Sequence, residues 1–122
     1  MWSNNYNYYN IQFDEKFSQR LEKSTVVAAL LETKWFRQIN HQTFANTEAF
    51  PWLEIVLVET YDGNFATSEN ENQYVTLIAA TCSKDQNVNQ QVYIDAFKEI
   101  AKKLNWKLYL EENDFGIENV EL

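Results

Sequence analysis

Two stretches constrain the fold more than anything else in this chain. "WLEIVLVETY", Trp52 to Tyr61, and "YVTLIAATC", Tyr74 to Cys82, are close to unbroken runs of apolar and β-forming residues. Val, Ile, Tyr, Trp and Thr favour a pleated, packed surface, and runs without polar alternation belong to strands covered on both faces or central in a sheet. Pro51 stands at the entrance of the first run, where a missing N–H does no harm. Asp62–Gly63 at its exit is a hairpin-turn signal, with the return beginning at Asn64–Ala66 and "TSENENQ" as a loop. Two central strands oblige the rest of the chain to complete and cover a sheet.

The remaining segments divide by period. "SKDQNVNQQVYIDAFKEIAKKLN" puts Val92, Ala96, Ile100 and Leu104, with Tyr93 and Phe97, on one face of a helix. Lysines late in that helix suit its negative end. Val92, Phe97, Ile100 and Leu104 are expected to dock it on the sheet. "WKLYLEEN" alternates, with Trp106, Leu108 and Leu110 inward and Lys107, Tyr109 and Glu111 on a wet face. Tyr8–Phe13 reads as a first strand, with Tyr9, Ile11 and Phe13 on one side. "DEKFSQRLEKSTVVAALLETKWF" follows as a helix with a weak point at Ser24–Val27, where β-branched residues lower propensity. "RQINHQTF" has room for a short strand. The order β, α, (β), β, β, α, β predicts one α+β domain over residues 1–122. Its sheet is mainly antiparallel, of four to five strands, with two helices packed on one face. A ferredoxin-like arrangement is one that this order allows. The other face then needs polar cover, aromatics or a partner.

Charge narrows the function. The net charge is −8, unevenly laid out. Between Arg37 and Lys84 there is no Lys or Arg but six acids: Glu48, Glu54, Glu59, Asp62, Glu69 and Glu71. The last fifteen residues, "LYLEENDFGIENVEL", hold Glu111, Glu112, Asp114, Glu118 and Glu121 and no base. Such a field repels nucleic-acid backbones and anionic membranes and attracts basic proteins. The longest strictly apolar run, "VVAALL", is far below the roughly 20 residues of a membrane-spanning helix. "MWSNNYNYYN" has no basic or apolar leader pattern, and a single cysteine permits no internal disulfide. These features lead us to expect a cytoplasmic protein.

The sequence offers little for catalysis. His41 is the only histidine and lies in a polar connector, while Cys82 ends an apolar strand; neither has a partner set. One Cys and one His cannot make the usual zinc sites, "ENEN" lacks the calcium-loop spacing, and Gly63 and Gly116 form no phosphate loop. No catalytic residue, metal or cofactor is expected. Trp35, Trp52, Trp106, Tyr93 and Phe97 are expected in the core. Trp2, Tyr6, Tyr8 and Tyr9, set among Ser and Asn, read either as packing across the sheet or as a binding surface.

"PWLEIVLVETYDGNF", "YVTLIAATCSKD" and "YIDAFKEIAKKLNWKLYLEEND" together resemble the immunity proteins of bacterial contact-dependent growth inhibition and related polymorphic toxin systems, as a strand–strand–helix–strand unit. The resemblance implies a cognate toxin domain, often a basic nuclease, bound and blocked by this chain. From charge, the contact is expected at Asp62, Glu69 and Glu71 together with Glu111, Glu112 and Asp114. Two other classes stay open: a small α+β enzyme using scattered carboxylates, and an acidic adaptor or nucleic-acid mimic.

Overall fold

The structure is a computed structural model that describes residues 5–62 and 73–122. Among the described residues nine strands and two helices follow in the order β1 (Tyr6–Gln12), β2 (Leu21–Glu22), α1 (Lys23–Glu32), β3 (Phe36–Gln38), β4 (Thr43–Asn46), β5 (Leu53–Val58), β6 (Tyr74–Val75), β7 (Leu77–Ser83), α2 (Gln90–Leu104), β8 (Lys107–Glu112) and β9 (Glu118–Glu121). Seven strands form one antiparallel sheet in the order β3-β4-β5-β7-β1-β8-β9, and β2 and β6 make a small separate ribbon. The fold is α+β, as the element pattern implied. The sheet is wider than the four to five strands expected, because the β3–β4 hairpin and β9 extend both edges.

The centre of the sheet comes from two interleaved crossovers. β1 lies between β7 and β8 and is antiparallel to both, so the β7–α2–β8 connection passes over it. β5 pairs with β7 on the other side, so the path from β1 through α1 to β5 passes over β7. Register sorts the residues into two faces. Tyr9, Ala80 and Ile55 stand abreast, as do Ile11, Ile78 and Leu57. These residues, with Leu53, Cys82 and Leu108, form one core with Val26 and Leu30 of α1 and Tyr93, Ala96, Phe97, Ile100 and Ala101 of α2. Both helices therefore cover the same face.

α2 is the better-determined helix. The Asn89 side chain accepts the Gln91 N–H, Asn105 closes the other end in the left-handed conformation, and Lys102 and Lys103 sit in the last turn. Its buried residues recur at three- and four-residue spacing. Val92 departs from the expected docking set. It is exposed, whereas Phe97 and Ile100 are buried and Leu104 packs partly against the core. One position later, Tyr93 takes the inward place.

α1 is shorter than the sequence pattern implied. It starts at Lys23, with no side-chain cap from Glu22. Upstream, the Asp14 carboxylate accepts the backbone N–H groups of Lys16 and Ser18 and the Ser18 hydroxyl, and Phe17 has φ of 53°. That side-chain turn competes with helix for the same amides and ends the apparent periodicity. The "weak point" at Ser24 is the first turn of the helix. "YVTLIAATC" is broken too: Thr76 leaves the ladder between β6 and β7, where its hydroxyl bonds the backbone of Thr60.

β8 also differs from expectation. Tyr109 is 3% exposed although it lies on the helix-free face. The segment after β1 folds back near it: Gln12 Nε2 donates to the Asp14 carbonyl, and the Tyr109 phenol is raised by burial first, then by the charges of Glu121, Glu15 and Asp14. Among the described residues no helix is long and apolar enough to cross a membrane.

Candidate functional site

The acidic end of the chain is a hairpin. β9 turns back on β8 with Leu110 abreast of Val120 and Glu112 abreast of Glu118. Asn113 builds the turn: its side-chain oxygen accepts the N–H groups of Phe115 (2.9 Å) and Ile117 (3.0 Å), and its own N–H donates to the Ile117 carbonyl. Gly116 has φ of +77°. A Cβ there has room, 3.9 Å from the Glu112 carboxylate, so the left-handed backbone is what selects glycine.

This turn presents Phe115 at 89% exposure, with Ile117 exposed beside it. Around them stand Glu112, Asp114 and Glu118. Like charges directly opposite on neighbouring strands repel, so Glu112 and Glu118 make a costly pair for the isolated hairpin. The chain supplies part of the compensation. Lys84, after β7, reaches Asp114 at 2.8 Å, and Lys107 lies 3.9 Å from Glu121. The tail is therefore less bare of cations than its sequence neighbourhood implied. Glu111 and Glu112 are half-buried and engaged within the chain.

The other acids do not join this group. Val58 stands abreast of Leu77 at the end of the sheet where Lys107 meets Gln12, whereas Leu53 and Cys82 belong with the end where β8 finishes. Asp62 lies beyond Val58, and the hairpin tip lies beyond Glu112. They are separated by at least a strand's length, about 20 Å. Asp62 is exposed and accepts the Thr60 hydroxyl at 3.0 Å. Glu69 and Glu71, with Gly63 and "ENEN", fall outside the described residues, as does Trp2.

His41 and Cys82 are likewise apart. His41 sits in the β3–β4 turn at the Leu57 end, where Leu57 N–H meets the Gln42 carbonyl. Cys82 is buried at the opposite end, and burial pushes its thiol well above the usual range. Among the described residues no group of three His, Cys, Asp or Glu is placed to hold a metal ion.

The aromatics divide differently from expectation. Trp52 is 46% exposed and pairs with exposed Tyr6, ring centres 5.6 Å apart, on the helix-free face. Tyr9 is in the core, its hydroxyl donating to Gln90 Oε1 at 2.8 Å. Phe115 was missed. Its signal was available: an aromatic within "ENDFGI", between Asn and Gly turn formers. Compared with protein-family models, curated proteins and solved structures, the chain matches none of them.

Proposed function

We propose that this chain is an antidote. In this reading it is an immunity protein of the kind found in contact-dependent growth inhibition and related polymorphic toxin systems. It binds a basic toxin domain, such as a nuclease, and blocks it without catalysing a reaction. The supporting observation is the hairpin tip, where a fixed turn holds out Phe115 among Glu112, Asp114 and Glu118. An exposed aromatic on a rigid turn is a suitable anchor, since little conformational freedom is lost when it enters a pocket. The carboxylates around it favour a partner whose pocket is rimmed by Lys or Arg. A cation placed between Glu112 and Glu118 would relieve their mutual repulsion. Glu111 extends the same acidic strand. Asp62, Glu69 and Glu71 enter this reading through the long-range field that speeds encounter.

We read β1, α1, β5, β7, α2 and β8 as a ferredoxin-like core widened at both edges, a rigid base for the hairpin. The antidote would act where the toxin acts, in the cytoplasm.

The test takes the product of the neighbouring gene as the candidate toxin. Binding is followed at low and high salt for the parent, for Phe115→Ala and for Glu112→Lys with Glu118→Lys. Phe115→Ala should weaken binding by about 2 kcal/mol, mostly through faster dissociation. The charge reversal should slow association at low salt and matter less at high salt. Parent-like binding by both variants would remove the hairpin from the contact. Failure of the parent to bind or protect would remove the antidote reading itself.

A further inference from the structure

We propose that this acidic protein also carries a small-molecule site for an organic oxyanion, at the other end of the same hairpin. The last turns of α2, the start of β8 and the end of β9 border an open cavity of about 320 Å³. Lys98, Lys102 and Lys107 line it, with Trp106, Leu108, Glu121 and Leu122.

Two independent features point to a bound anion. The first is the lysine arrangement. Lys98 and Lys102 are four residues apart on α2, a spacing at which like charges repel. Lys103 is drawn to Glu32 at 3.7 Å and Lys107 to Glu121 at 3.9 Å. Among the described residues Lys98 and Lys102 have no ion-pair partner, in a chain with 18 acids and 10 bases. Both line the cavity. Among the lining side chains Glu121 is the one acid against three lysines, with the apolar Leu122 beside it, so the lining side chains keep an excess of positive charge.

The second feature is the Trp106 indole. The residue is only 6% exposed, and its Nε1–H has no acceptor among the described residues. A buried donor left unmet is unfavourable and rare. The same residue forms part of the cavity wall. The negative end of α2 works against an anion here, but the Asn105 N–H and the Trp106 N–H bond the carbonyls of Ala101 and Lys102 and blunt it.

The cavity thus offers a charged rim and an apolar wall. It suits a phosphate or carboxylate head seated between Lys98 and Lys102, with a flat apolar body against Trp106 and Leu108. The indole nitrogen is covered, so its bond to the head forms with a small local shift. The site stands apart from the acidic tip and does not depend on the antidote reading.

Phenyl phosphate is the first probe, with benzoate, inorganic phosphate and phenol as further arms. The readout is the set of indole N–H signals in a ¹H–¹⁵N correlation spectrum of the protein's four tryptophans, with Trp106→Phe identifying its own. Phenyl phosphate or benzoate should shift the Trp106 signal saturably. Inorganic phosphate should do so more weakly, and phenol hardly at all. Lys98→Gln with Lys102→Gln, at exposed helix positions, should raise the apparent dissociation constant about tenfold while leaving the other three indole signals in place. No movement of the Trp106 signal with either organic anion overturns the proposal. So does equal binding by the double variant, or an equal response to phenol.

Discussion

The two faces of the sheet use alternate residues of the same strands, yet they solve different problems. On the covered face the aromatics interlock: Tyr9 and Phe97 lie 5.5 Å apart, Phe36 and Phe50 5.4 Å, and Phe50 and Tyr93 5.8 Å. On the helix-free face Tyr8, Thr81 and Glu54 share one row, and Asn10, Ala79 and Val56 the next. Those side chains are half-buried or exposed, and only toward the Lys107 end, at Gln12, Leu77 and Tyr109, is the face closed. The covered face holds the fold together. The other is tolerated because its residues are small, polar or aromatic with a wet edge.

Phe97→Ala tests this contrast most strongly. It removes a fully buried ring that touches Tyr9, Tyr93 and Phe36, and should cost about 3–5 kcal/mol in urea unfolding. Tyr8→Ala, on the other face, should cost about 1 kcal/mol. Equal losses would mean that the second face is covered in solution. Next comes Gln90→Ala. Gln90 Oε1 accepts from Asn7 and from the Tyr9 hydroxyl, and its Nε2 donates to the Ser83 carbonyl at 2.7 Å. Truncation strands three polar groups beneath the start of α2, for an expected loss of about 1–3 kcal/mol. A loss below half a kcal/mol would show that water replaces the amide without penalty.

What could be seen in the sequence follows the same division. The stripe Tyr93, Ala96, Phe97, Ile100 is legible because the helix repeats it over about two turns, and Tyr9 with Ile11 because a strand alternates. Trp52 and Tyr109 were misplaced for a common reason. Whether a residue on the second face is covered depends on segments distant in the chain, which periodicity does not encode. The false helix over Asp14–Leu21 arose from apolar spacing at Phe17 and Leu21, overridden by the Asp14 turn. The separation of Asp62 from the tail is a matter of strand order, invisible to local pattern. Asn113 and Gly116 did announce a turn, but a strand returning after it was read as a tail.

Alkali should act mainly through the covered face. Burial pushes the Tyr93 phenol up to about 12, and burial, with Cys82 second, pushes Tyr9 higher still. Unfolded tyrosine ionises near pH 10. A raised folded value means stability is fully present below pH 10 and is lost as pH climbs toward 12. Tyr93→Phe should flatten that limb, at the cost of the 2.6 Å bond to the Trp52 carbonyl. An unchanged slope would show that Tyr93 ionises without unfolding.

Acid should act, more weakly, where the helix-free face is closed. Hydrogen bonds from the Ser18 hydroxyl and backbone hold the Asp14 carboxyl below its ordinary value, with smaller help from the Lys16 N–H and the Lys107 charge. A lowered folded value contributes stability above the unfolded value of about 3.9, and that contribution disappears as pH falls through the folded value. Asp14 is only half-buried and open to solvent, so the effect is modest, but its position is informative. Asp14 fixes the turn over residues 14–18, whose first carbonyl accepts from Gln12 and whose Asp14 and Glu15 carboxylates lie within electrostatic reach of Tyr109. Asp14→Asn keeps an acceptor and removes the charge. It should flatten the acid limb below about pH 4, leave the share of the alkaline limb carried by Tyr93 and Tyr9 in place, and raise the accessibility of Tyr109 to a phenol-modifying reagent at neutral pH. Parent-like acid sensitivity together with a protected Tyr109 would mean that apolar contact of Phe13 with the core, and not the carboxylate, holds the segment down.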